Sequence, residues 1–291
     1  MGDALRRAGG SPIICWDSQR GNDVKIIAWT RIAGLAACFG GGLFFTGALA
    51  QAPAPYDPWS GLVTDIFQGR AITENDGVVS LDAPERAEDA AIVPMRMRFS
   101  DPVRVAKATL VIDQNPMPMA AAFTLGERAG IGFIETRVRV NFYSNVHAVA
   151  ETRDGALHAA VKYVKASGGC SAPAGKNIDA ANAQLGQMKY REFKSSEPGR
   201  REARIMIRHP NSSGMQMDQL THLYIPAHYI DRVEVRQGDD LIFTMEGGIS
   251  LSEDPNFRFS YTPNGARTIS VQAHDSKGNV FKSEWPIADA S

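Results

Sequence analysis

Short alternating runs, each closed by a turn cluster, recur along most of the chain and limit what it can fold into. Val93-Pro94-Met95-Arg96-Met97-Arg98-Phe99 puts every second side chain on one apolar face, and residues 134–140 alternate in the same way. A period of two is the period of a strand, not of a helix. The run 108–112 ends at Asp113-Gln114-Asn115-Pro116, and Asp154-Gly155 separates the runs 146–151 and 157–165, which is a hairpin signal. A second series follows at 204–208, 230–235, 241–245, 257–261, 268–273 and 280–285, with turns at Gly238-Asp239 and Lys277-Gly278-Asn279. No strand–helix–strand rhythm interrupts either series. The pattern predicts an all-β protein made of two immunoglobulin-like β-sandwich domains in tandem.

Between the two series the alternation is lost. Residues 166–176 read ASGGCSAPAGK, small and rich in breakers, which is the composition of a linker. Residues 178–190 carry a thin apolar stripe of Ile178, Leu185 and Met188 and predict a short helix. Residues 59–67 predict another, with Trp59, Leu62, Val63 and Phe67 on one side. The expected domains are therefore 51–165 and 201–291, joined by a Gly-rich linker with a short helix over 166–200. The second, at roughly 90 residues, would bury only a modest core alone, so packing against the first is expected.

Residues 1–50 differ. An uncharged run, AGLAACFGGGLFFTGALA, spans 33–50 behind Lys25 and Arg31 and ends in Ala48-Leu49-Ala50. Positive flank, apolar run and small-residue exit describe a secretory signal peptide, here with a long n-region. An uncleaved membrane anchor is the competing reading; the glycines of the run and its length, short of the ~20 residues an anchor needs, disfavour it. Cleavage after Ala50 would place the protein in the periplasm with no membrane attachment. It would remove five of the 31 basic and three of the 32 acidic residues, leaving a net charge of −3. That balance, without any long basic block, gives no grip on nucleic acid.

Cleavage would also remove Cys15 and Cys38, leaving Cys170 as the one cysteine. A lone exported thiol cannot form an internal disulfide; it is buried and inert, paired with another molecule, or exposed and reactive. Its neighbours Gly168, Gly169, Ser171 and Ala172 are small and predict an accessible thiol on a flexible arm. Five residues past Lys165, such an arm would reach about 17 Å at full extension. A tolerated loop cysteine is the plain alternative.

The six histidines, His147, His158, His209, His222, His228 and His274, show no metal-ligand spacing. No nucleophile elbow, phosphate loop or dinucleotide fingerprint is present, and no histidine neighbours Cys170 to act as its base. The numerous methionines read as packing residues. No catalytic residue, metal site or cofactor is expected, and the chain reads as a non-enzyme.

Several stretches resemble a known family in order. Leu81-Asp82-Ala83-Pro84-Glu85-Arg86-Ala87-Glu88-Asp89-Ala90-Ala91-Ile92-Val93-Pro94, Asp113-Gln114-Asn115-Pro116-Met117-Pro118, Thr136-Arg137-Val138-Arg139-Val140, Asp154-Gly155 and Gly168-Gly169-Cys170 resemble SoxY, the sulfur-carrying subunit of the sulfur-oxidation system. Arg208-His209-Pro210, Gly214 and Ile225-Pro226-Ala227-His228-Tyr229-Ile230 resemble its partner SoxZ. The chain looks like a fused SoxYZ carrier of the type associated with quinoprotein dehydrogenases. That resemblance implies a covalent sulfur adduct on Cys170, with Gly168 and Gly169 as the carrier arm. It implies partners among periplasmic redox or sulfur-metabolism enzymes, including a quinoprotein dehydrogenase or a c-type cytochrome. The alternative is a non-covalent binding or assembly module for a quinoprotein dehydrogenase system, in which the cysteine is incidental. Two departures stand out. Ser171-Ala172-Pro173 follows the cysteine, where SoxY ends in glycines, and Asn211-Ser212-Ser213 replaces the Met-Glu-Thr usual after His-Pro in SoxZ.

Overall fold

A computed structural model describes residues 57–173, 183–195 and 197–287. The expected signal segment and part of the linker, 174–182, lie outside the described residues. The described chain belongs to one compact unit.

The first series forms β1 (Ile72–Glu74), β2 (Val79–Asp82), β3 (Val93–Phe99), β4 (Val105–Ile112), β5 (Met119–Leu125), β6 (Phe133–Val138), β7 (Ser144–Thr152) and β8 (Leu157–Val164). The second forms β9 (Met188–Phe193), β10 (Arg201–Ile207), β11 (Ile230–Gln237), β12 (Asp240–Gly247), β13 (Asn256–Tyr261), β14 (Thr268–Asp275) and β15 (Val280–Pro286). In β3 the residues Val93, Met95, Met97 and Phe99 are buried while Pro94 and Arg98 face out, as the alternation requires.

The strands make two sheets in the orders β1-β8-β7-β4-β5-β12-β11-β14-β15 and β2-β3-β6-β13-β10-β9. Each sheet runs through both tandem sandwiches. Antiparallel pairing of β5 with β12 aligns Phe123 with Met245, and pairing of β6 with β13 aligns Ile134 with Phe259. Each half thus covers edge strands the other would leave open to solvent. The core is continuous across the joint: Phe123 meets Phe243 and Phe257 edge to face, with ring centroids 5.7 and 6.1 Å apart.

One helix is described, α1 (Pro58–Phe67), as expected from its apolar side. The Asp57 side chain accepts from Trp59 N, Pro58 occupies the first turn, and Gln68 closes the helix in the left-handed region at φ 59°. Phe67 and its neighbours pack against Val111, Val149, Leu157 and Ala159, a satellite core on the outer face of the larger sheet.

The second expected helix does not form where the structure describes it. Residues 183–186 are a turn and Met188–Phe193 is β9, hydrogen-bonded along β10. The run Met188-Lys189-Tyr190-Arg191-Glu192-Phe193 also alternates. Pairing with β10, and stacking of Tyr190 on Trp285 at 5.5 Å, override a weak helical stripe. Gly186, at φ 76°, presses directly against the Phe281 ring, where no side chain fits.

Candidate functional site: a clamped cysteine arm

The expected arm is not free. Ala166, Gly169 and Cys170 are buried, and Cys170 is 0% exposed. The chain after β8 folds back over the end of β6. Gly168 N donates to Asn141 O at 2.8 Å, Gly169 N to Val140 O at 3.1 Å, and Cys170 N to Asn141 Oδ1 at 3.3 Å. Arg139 Nη1 donates to Gly169 O at 3.1 Å. The second half closes the clamp. Ser213 Oγ donates to Cys170 O, and Gln216 Nε2 donates to Ala172 O at 2.9 Å. The accessible, flexible position expected for Cys170 is therefore corrected: a composition of small residues permits close packing as readily as it permits motion.

The two arm glycines have separate reasons to be glycine. Gly168 turns the chain at φ 78°. Gly169 lies so close to the backbone that an added Cβ would run into Ala90 O and come within 2.7 Å of Val140 O. The Asn-Ser-Ser stretch that departs from the usual SoxZ sequence is used here. Ser213 holds Cys170, and Asn211 O accepts from Arg139 Nη2 at 3.4 Å.

Burial raises the Cys170 thiol from an ordinary 9.0 to about 11, against an opposing pull from the Arg139 guanidinium. In this position it is a protonated, weakly nucleophilic thiol at neutral pH. Arg139 is 1% exposed, and burial lowers its pKa. Its hydrogen-bond acceptors are two carbonyls, and its Nε has none.

A second polar cluster lies beneath the clamping loop. His209, His228 and Asp275 are all buried. His228 Nε2 is 2.8 Å from Asp275 Oδ2, His209 Nε2 is 3.5 Å from the same oxygen, and the two Nε2 atoms are 3.3 Å apart. Sequence spacing gave no sign of this group, because the three residues come from distant segments.

Separations of this size would suit a tetrahedral cation, but the protons are already placed. The Asn211 backbone N–H donates to His209 Nδ1 at 3.0 Å, so in the neutral ring Nε2 carries the hydrogen and has no lone pair to offer. Asp275 Oδ2 also accepts from Asn279 Nδ2 at 2.8 Å. The group is a hydrogen-bonded network that ties the loop to the β14–β15 hairpin. Burial, followed by the neighbouring His228, pushes His209 down to about 4. Burial works against the charged form of Asp275, but bonds from Asn279 and His228 outweigh it and hold the carboxyl well below the usual range.

His147 and His158 play packing parts. His147 stacks on Trp59 with centroids 3.6 Å apart and bonds to Asp113 at 3.2 Å; His158 pairs with Asp76.

Comparison with known proteins accounts for both halves of the clamp. The family model "Sulfur oxidation protein SoxY" matches residues 63–170, and "Sulphur oxidation protein SoxZ" matches 191–286. Among solved structures, the sulfur carrier protein SoxY from Chlorobium limicola f thiosulfatophilum is 25% identical, with a TM-score of 0.33 over 38% of this chain and 91% of that one. A tetra-tandem repeat from the extending region of a large adhesion protein is 10% identical, with a TM-score of 0.23 over 71% of this chain and 47% of that one. The comparison with curated proteins gave no match. With a SoxY domain followed by a SoxZ domain in one polypeptide, the chain belongs to the fused SoxYZ-like carriers of the sulfur-oxidation family.

Proposed function

We propose that this protein is a periplasmic covalent carrier that holds sulfur intermediates on Cys170 and presents them to partner enzymes. It acts as a carrier, not a catalyst. The observation that carries the reading is the way the arm is held. Six hydrogen bonds with residues outside the arm fix backbone atoms of residues 168–172, and among the described residues none involves the Cys170 sulfur. A structural cysteine is kept for what its side chain packs against. Here the grip falls on the chain either side of a free sulfur, at the residue where the SoxY match ends. Once the arm lifts, the Cys170 thiolate can attack the sulfane sulfur of a disulfide- or thiosulfonate-type donor; the new S–S bond forms as the donor's S–S bond breaks and its thiolate or sulfite leaves, and the product is a persulfide or a longer S-conjugate. Partners would be sulfur-metabolism or redox enzymes of the same compartment, a quinoprotein dehydrogenase or c-type cytochrome among them. The apolar run at 33–50 supports export.

Burial of the thiol favours the second reading, a binding or assembly module in which Cys170 is only a packing residue. One experiment separates the two. The intact mass of protein recovered from its native periplasm should exceed the mature mass by whole sulfur or sulfur-oxyanion increments, and Cys170→Ser should lose both the increment and pathway activity. A Cys170→Ser protein that folds and supports wild-type growth on the sulfur substrate would leave only the module reading.

A further inference from the structure

Arg139 stands out among the buried charged residues. The alternation of residues 134–140 puts it on the same side as Glu135 and Arg137, the outer face of the smaller sheet, yet it is 1% exposed. The strand ends at Val138, and the cysteine arm and the 208–216 loop close over the next residue. Its guanidinium forks between Gly169 O, one residue before Cys170, and Asn211 O on the clamping loop. Nε is buried with no acceptor. Glu253 and Asp89 act on the guanidinium through their charge, without hydrogen-bonding it. A buried cation held by neutral carbonyls is costly, because carbonyl dipoles replace only part of its hydration. Of the negative charges that can act on it, one on the sulfur of Cys170, the residue next to the Gly169 carbonyl it holds, acts most strongly, ahead of Glu253 and Asp89.

We propose that Arg139 makes the clamped position selective for negative charge on the Cys170 sulfur, and that the preferred cargo is the smallest anionic conjugate, a terminal persulfide anion. This inference rests on the carrier reading for its cargo, but the selectivity is a property of the clamp and can be measured on protein loaded by hand. A persulfide adds one sulfur atom to a fully buried side chain and puts the charge on that atom. A neutral conjugate of similar size leaves the guanidinium with only the weaker pull of Glu253 and Asp89. Loading with an anion therefore holds the arm down, and loading with a neutral group loosens it. An anionic intermediate stays shielded until a partner lifts the arm.

The test uses hydrogen exchange at the amides of Gly168, Gly169 and Cys170, each of which donates to the clamp. Two forms of the full chain are compared. One is the persulfide, made by hydrosulfide displacing the thiol from a mixed disulfide at Cys170. The other is the neutral methyl disulfide. In the wild type the persulfide form should exchange about tenfold more slowly, the effect of about one pKa unit of charge interaction. Arg139→Met should abolish that ratio. Arg139→Lys keeps the charge without the fork and should keep the ratio, even if both forms exchange faster. Equal exchange of the two wild-type forms would overturn the proposal without any variant. So would a ratio that survives in Arg139→Met, because a purely structural arginine would speed exchange of both forms by the same factor. Neither outcome depends on whether Cys170 is loaded in the cell, so this result and that of Cys170→Ser can fail separately.

Discussion

Gly169→Ala should release the arm while leaving the sandwich intact. The added methyl would overlap Ala90 O and sit 2.7 Å from both Ala90 C and Val140 O, and these backbone atoms cannot turn aside as a side-chain tip can. The segment lies outside both sheets, so the cheapest relief is for residues 168–172 to lift. Lifting breaks six hydrogen bonds worth about 0.5–1.5 kcal/mol each. The released thiol would return from about 11 towards 9.0, raising the thiolate fraction at neutral pH about a hundredfold. A thiolate of lower basicity is also less nucleophilic, which takes back about tenfold. Ionisation alone should therefore speed reaction with a chromogenic disulfide by about tenfold, and exposure of a side chain that is 0% accessible should add to that. Gly61→Ala is the control: it too adds a methyl group at a glycine without positive φ, but in open space away from the arm. An unchanged thiol rate in Gly169→Ala, with an unchanged melting temperature, would mean that the close approach does not hold the arm.

The His209 network should make the clamp acid-sensitive. Folding lowers His209 from 6.5 to about 4, so between these values the unfolded chain binds the extra proton. Its contribution is full above pH 6.5 and is lost as pH falls towards 4, amounting to roughly 3 kcal/mol; Asp275, also lowered on folding, adds a loss below 3.8. Denaturant titrations from pH 7 to 4.5 should show the slope in the wild type and a flatter profile in His209→Gln; equal slopes would place the sensitivity elsewhere. Since His209 Nε2 holds a proton rather than a lone pair, zinc at micromolar concentration should leave the melting temperature unchanged, and a saturable rise of several degrees would show that the ring reorients to bind metal.

The strands could be read from the sequence because each half-buried strand writes its own period, and the hairpin turns because Gly155, Gly238 and Gly278 adopt the positive φ that turns demand. The sharing of sheets could not: β5 and β12 have the same pattern whether each is an edge strand or they are neighbours. Cys170, Gly168 and Gly169 were visible from composition, but their burial was not, because an arm of small residues looks the same lifted or docked. Asn141, Ser213 and Gln216 gave no signal, since they act through arm backbone atoms far away in sequence. Arg139 was concealed by regularity: the rule that places residue 137 on the outer face places residue 139 there too, and it fails where the strand ends and the arm crosses over.

Fusion changes what such an arm can do. The segment is anchored at Lys165, whose N donates to Glu85 O and whose O accepts from Ala87 N, and it continues past residue 173 into the second half of the chain. Tethered at both ends, it can lift as a loop but cannot extend as a free tail would. The clamp draws on both halves: Asn141, Val140 and Arg139 from the first, Ser213 and Gln216 from the second. The second half also holds its clamping loop from behind through His209, His228 and Asp275. A partner that displaces the 208–216 loop would remove the bonds to Cys170 O and Ala172 O while the first half still holds Gly168 and Gly169. Release would then run in one direction, from Ala172 backwards, with the bonds from Cys170 N to Asn141 and from Arg139 to Gly169 O the next to give way as the sulfur comes free.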